Sequence, residues 1–187
     1  MNNILKIIFY SICIITYSHA MANEEAKYNV VKLSDVYEIR KYSNRLAIQV
    51  VSTSGNNGFR KLFNYISGNN KKNQKIKMTV PVTVIEQSGN MTMQFYLPSK
   101  FDKNNAPDPT ASDVEVIDIE GGYYAVIKYS GRASENNFIK HRDILESELY
   151  KDGIVIKGPP IKATYNSPFT LPLMRRNEAM FNVSYKN

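Results

Sequence analysis

The chain has 187 residues, 24 of them basic and 17 acidic, for a formal charge of +7, with one cysteine and two histidines. Cys13 and His19 both fall within the first 22 residues, so the rest of the chain can form no disulfide and has too few soft ligands for an ordinary zinc site. The basic residues occur in runs no longer than two, which reads as solubility rather than as a nucleic-acid surface.

The N-terminus carries one charge, Lys6, then an apolar run from Ile7 to Thr16, then the small-x-small patterns Ser18-His19-Ala20 and Ala20-Met21-Ala22. This is the layout of a cleaved secretory signal peptide over residues 1–22, with an uncleaved anchor as the alternative reading. The run is shorter than the roughly 20 residues of a membrane span, so no stable membrane insertion is expected after cleavage. Residues 23–187 then form one exported domain, periplasmic or secreted, with length enough for a core of its own.

Short segments rich in Val, Ile and Tyr predict strands over Tyr37–Tyr42 and Leu46–Thr53. A helix follows in "NNGFRKLFNYISG". Phe59, Leu62, Phe63 and Ile66 recur at helical spacing, Asn56 or Asn57 stands at the start, and Gly68 at the end. Next comes a strand over Thr79–Glu86, inside which Pro81 removes a backbone donor and calls for an edge, a bulge or a strand end. Strands over Met91–Leu97, Val114–Ile119 and Tyr123–Tyr129 flank an irregular proline-containing loop. A second helix places Phe138, Leu145 and Leu149 on one face, with Ser134 as N-cap and Gly153 beyond its end. The last strands are expected over Ile154–Lys157, Ile161–Tyr165 and Ala179–Tyr185.

"LAIQVVSTSGNNGFRKLFNYI" and "YYAVIKYSGRASENNFIKHRDIL" both read as strand, Ser-Gly turn and helix, and two strands follow each. This predicts an α+β fold from a duplicated β-α-β-β unit, an antiparallel sheet carrying two helices, with the halves sharing one core. No Walker loop, dinucleotide-binding glycine fingerprint or Gly-x-Ser-x-Gly elbow is present, so standard nucleotide and hydrolase chemistries find no support. Glu178, near Arg175 and Arg176, reads as a surface or half-buried ion pair before it reads as a general base. His141, beside the second helix's apolar stripe, reads as a half-buried structural residue.

"YEIRKYSNRLAIQV", "GFRKLFNYISGNN", "KIKMTVPV", "FYLPSKF", "APDP", "YSGRA" and "TYNSP…RRNE", taken in this order, resemble the SOUL/heme-binding protein family from about Tyr28 to Val183. The resemblance implies a distorted antiparallel β-barrel with two helices, of the kind shared with gyrase-inhibitor-like domains, and a bend at Pro81. It implies a non-catalytic carrier or buffer for non-covalent heme or another tetrapyrrole, held in a shallow apolar groove. Carried onto this chain, the groove has one wall on the first helix (Lys61, Leu62, Phe63, Ile66) and a second on the late loop "NSPFTLPLM" (Phe169, Leu171, Met174). Arg175, Arg176 or Lys61 would meet the propionates. His141 is a candidate axial ligand; Met174 and the tyrosines are others, and the spacing selects none. Asn56 and Asn64 stand where better-known members of the family carry basic residues. Two other readings stay open: an interaction protein of the same fold without the ligand, its partner unspecified, and a small-molecule hydrolase using Glu178 with Tyr165 or Tyr96.

Overall fold

Alternating apolar side chains between turn residues produce strands over nearly all the predicted segments. The computed structural model describes residues 23–53 and 57–186, so the expected signal peptide and Asn56 lie outside the described residues. The first half contains β1 (Glu24–Glu25), β2 (Tyr28–Leu33), β3 (Glu38–Tyr42), β4 (Arg45–Ser52), α1 (Gly58–Ile66), β5 (Thr79–Val80), β6 (Val82–Gln87) and β7 (Asn90–Tyr96). The second contains β8 (Val114–Ile119), β9 (Gly122–Tyr129), α2 (Glu135–Lys151), β10 (Val155–Ile156), β11 (Ile161–Thr164) and β12 (Asn177–Ser184).

The main sheet is antiparallel and runs β2-β3-β9-β12-β11-β6-β7-β4-β8, with β10 added beside β12. Its order reflects the duplication. The triplet β4-β7-β6 of one half meets β11-β12-β9 of the other through the β6–β11 ladder, where Val82 faces Thr164 and Ile85 faces Ile161. Each half also lends a strand across the molecule, β3 to β9 and β8 to β4. The expected α+β architecture, a curled antiparallel sheet with two helices, is the one observed.

The single shared core is not. α1 packs on β4 and β7 over Leu46, Ile48, Val50 and Phe95. α2 packs on β9, β10 and β12 over Ile39, Ile127, Phe181 and Val183. Both helices lie on the same face of the sheet, but over different strands, so each needs its own apolar bed. The halves are joined by backbone ladders and exchanged strands. A third cluster, centred on Tyr42, Tyr124, Val126, Ala163 and Met180, occupies the opposite face.

Several local expectations change. Pro81 ends one pairing and starts another: β5 runs parallel to β1, and β6 then enters the main sheet; the Val80–Pro81 peptide is cis. β2 has no counterpart in the sequence reading because a bulge between Val30 and Lys32 breaks its alternation. β12 begins at Asn177 rather than Ala179, since Glu178 is fully buried and paired despite its charge. Ser134 accepts a hydrogen bond from the Asn137 amide as an N-cap should, whereas Asn57 occupies the cap position of α1 without a side-chain hydrogen bond.

Candidate functional site

The apolar stripe read on α1 divides between two environments. Leu62, Tyr65 and Ile66 are buried against the sheet, and the Tyr65 hydroxyl donates to the Pro107 carbonyl at 2.6 Å. Leu62 and Ile66, expected as ligand contacts, are therefore core residues in this conformation: a helix seated on a sheet buries the middle of its stripe and leaves the flank outside. The flank consists of Phe59 and Phe63, 50% and 49% exposed, with ring centroids 6.0 Å apart and planes within 12°. The edge of Phe95 holds Phe59 from below at 5.2 Å. Phe59, which the sequence reading placed in the stripe, thus stands exposed beside Phe63. Lys61 lies on the same helix in an exposed ion pair with Asp113.

The late loop joins β11 to β12, where the corresponding β6–β7 connection is the tight turn at Ser88–Gly89. Its backbone is pinned. Arg175 donates from Nε to the Thr170 carbonyl at 2.8 Å and from a terminal nitrogen to the Pro168 carbonyl. The Gly131 amide donates to the Pro172 carbonyl at 2.9 Å, and Asn166 accepts from the Arg176 amide at 2.6 Å. A single 3-10 turn covers Pro172–Met174. Phe169 is nevertheless 96% exposed and Leu173 88%, and Leu171 and Met174 are exposed as well. Four large apolar side chains thus stand exposed on one braced loop, which is uncommon outside binding sites.

The two arginines expected at propionates are already engaged. Arg175 braces the loop, as described. Arg176 makes a bidentate pair with Glu25 at 2.8 and 2.9 Å, donates from Nε to Glu178 at 2.9 Å and lies 3.7 Å from the Tyr165 ring centroid. Lys61 has the weakest commitment of the three, since exposed pairs are worth at most about 1 kcal/mol. Among the described residues no hydrogen bond, ring contact or shared hydrophobic cluster joins α1 to the late loop.

Glu178 is the centre of a buried network. It receives Arg40 at 2.8 and 2.9 Å, Arg176 at 2.9 Å and the Tyr165 hydroxyl at 2.7 Å. These four bonds use both lone pairs of each oxygen, which leaves no site for a substrate proton. Burial alone would push the carboxyl up, but Arg40, Tyr165 and Arg176 outweigh it and hold it below the usual carboxylate range. Burial and the facing carboxylate raise the Tyr165 hydroxyl well above the ordinary phenol range. A general acid–base role for this pair has no geometric support. Glu178 is ion-paired as read but fully buried rather than at the surface or half-buried, with Arg40 as its unforeseen main partner and Arg176 as the second; Arg175 takes no part. His141, on α2, donates from Nδ1 to the Asn137 carbonyl at 2.7 Å, and its ring stacks on Tyr129 at 4.0 Å between centroids.

A family model described as SOUL heme-binding protein matches residues 23–182. Heme-binding protein 2 of Homo sapiens is 35% identical over 159 residues, covering 76% of this chain and 75% of the human protein. Among solved structures, the C-terminal domain of EcmrR superposes with a TM-score of 0.59 at 12% identity, covering 84% of this chain and 98% of that domain. A structure described as a hydrolase from Listeria innocua superposes with a TM-score of 0.56 at 10% identity, covering 82% of this chain and 94% of that one. At such identities these two likenesses concern the fold alone.

Proposed function

Because this chain belongs to the SOUL heme-binding protein family, we propose that it binds heme or a related tetrapyrrole non-covalently and acts as an exported, non-catalytic carrier or buffer. The observation that carries this reading is the stacked Phe59–Phe63 pair, left half-exposed on an otherwise well-packed helix. A flat aromatic surface suits the face of a planar macrocycle. Burial of apolar area contributes roughly 25 cal/mol per Å², so a face-on contact can hold the ligand without an iron–protein bond. Phe169, Leu171 and Met174 supply a second apolar surface, and the ligand bridges the two walls.

The charged groups suit this ligand more narrowly. Lys61 can exchange Asp113 for a propionate at little cost, gaining a charge-assisted hydrogen bond. Arg175 and Arg176 contribute by bracing the loop and the sheet. When bound, the tetrapyrrole supplies whatever redox and ligand chemistry its iron has; the chain orients it and shields its faces from water. A carrier role agrees with Glu178, the best-placed carboxylate for catalysis, being saturated. Export rests on the residue pattern of 1–22; among the described residues no helix is long and apolar enough to cross a membrane.

Titrating residues 23–187 with hemin and following the Soret band tests the reading. A saturable shift at one equivalent, weakened at least tenfold in Phe59→Ser/Phe63→Ser, is expected. Unsaturable absorbance, or equal affinity in the double variant, would sink it.

A further inference from the structure

On the face of the sheet away from the helices, Arg45 sits among three tyrosine rings. Its guanidinium carbon is 4.3 Å from the Tyr42 centroid, 4.7 Å from Tyr96 and 5.5 Å from Tyr124. Such cation–π contacts hold the group in place but accept none of its N–H bonds in ordinary geometry. Among the described residues the Arg45 side chain has no carboxylate and no hydrogen-bond partner, and its Nε is buried without an acceptor. The two terminal nitrogens are not buried in this way and are equally without an acceptor, so they are the donors open to an anion.

Arg45 also lines a cavity of about 400 Å³, within the range that holds small organic molecules. Leu46, Leu97, Pro98 and Phe101 give it apolar walls, and the N-terminal residues Glu24 to Lys27 form its rim. The acids of this rim are already committed. Glu24 accepts from the Ser99 amide at 2.7 Å, and Glu25 is the bidentate partner of Arg176. Among the lining residues Arg45 is the charge without a carboxylate beside it, while Lys27 stands near Glu24 without a hydrogen bond to it.

We infer that this cavity is a second binding site, separate from the α1 surface, for a monocarboxylate with an apolar tail. The carboxylate accepts from Arg45 and Lys27, and the tail lies along Leu46, Leu97 and Phe101. The apolar walls argue against a bare inorganic anion, and the unpaired guanidinium argues against a neutral lipid.

Calorimetric titration of residues 23–187 with octanoate and with octanol tests this on the unaltered protein. Saturable octanoate binding at one equivalent, with octanol at least tenfold weaker, is expected. Arg45→Gln, checked for folding by circular dichroism, is expected to weaken octanoate at least tenfold, and a saturating equivalent of hemin to leave octanoate binding unchanged. Equal binding of octanol, unchanged binding in the folded variant, or displacement of octanoate by hemin would overturn the inference.

Discussion

Glu178 shows how a single buried charge is held. Arg40 and Glu178 are both fully buried, and such a pair contributes little over an apolar replacement, whereas loss of one partner strands the other. Glu178→Gln leaves Arg40 and Arg176 facing a neutral amide, and should lower stability by about 3–5 kcal/mol as measured by urea unfolding. The pH dependence has a definite sign. The folded-state carboxyl is held below its ordinary value of 4.5, so its contribution is present above pH 4.5 and is lost as pH falls through the folded value. The acid limb of the stability profile should therefore be shallower in Glu178→Gln than in the unaltered protein; an equally steep limb would assign the acid sensitivity elsewhere. His141 is a contrasting case. Its stacking on Tyr129 and one hydrogen bond are local, so His141→Ala should cost no more than about 1 kcal/mol and leave the Soret band of the hemin complex in place. Loss of that band with folding preserved would identify His141 as the iron ligand.

At the level of elements, buried and exposed positions of the same helix separate stability from binding. Leu62→Ala opens a cavity under α1 and should cost about 2–5 kcal/mol. Phe169→Ser/Met174→Ser removes only exposed groups, so the melting temperature should barely move while hemin affinity falls about tenfold, or about 1.4 kcal/mol. A large fall in melting temperature with unchanged affinity would mean that these side chains pack onto the protein in solution. Period and punctuation made most elements legible: Ser134 and Gly153 bracket α2 as read, and β8 has the expected bounds. Illegible parts depended on long-range partners. β1 needs β5 to exist at all, β2 is disguised by its bulge, and Glu178 reads as polar until Arg40, distant in sequence, is beside it. Which half of the Phe59–Ile66 stripe would stay outside could not be read, because every residue in it is apolar and only the seat on β4 and β7 decides.

For the whole molecule, the pseudo-symmetric sheet accounts for where function can be placed. Two similar halves meet at β6–β11, yet one has a tight turn where the other has the apolar late loop, and α1 carries the half-exposed stacked pair Phe59–Phe63. The proposed ligand surface falls on these differences rather than on the repeat. The whole chain's destination is a separate matter. The pattern at Lys6, Ile7–Thr16 and Ala20/Ala22 predicts that exported protein starts at residue 21 or 23; N-terminal sequencing of soluble protein that returns Met1 would contradict export.

The central claim is that one tetrapyrrole bridges α1 and the late loop, and paramagnetic broadening tests it most directly. With one equivalent of ferric hemin added to the isotopically labelled domain, amide signals of residues 57–66 and 167–175 should broaden together, and those of α2 should stay sharp. Broadening centred on His141 and α2, or on the cavity at Arg45, with α1 unaffected, would contradict the account.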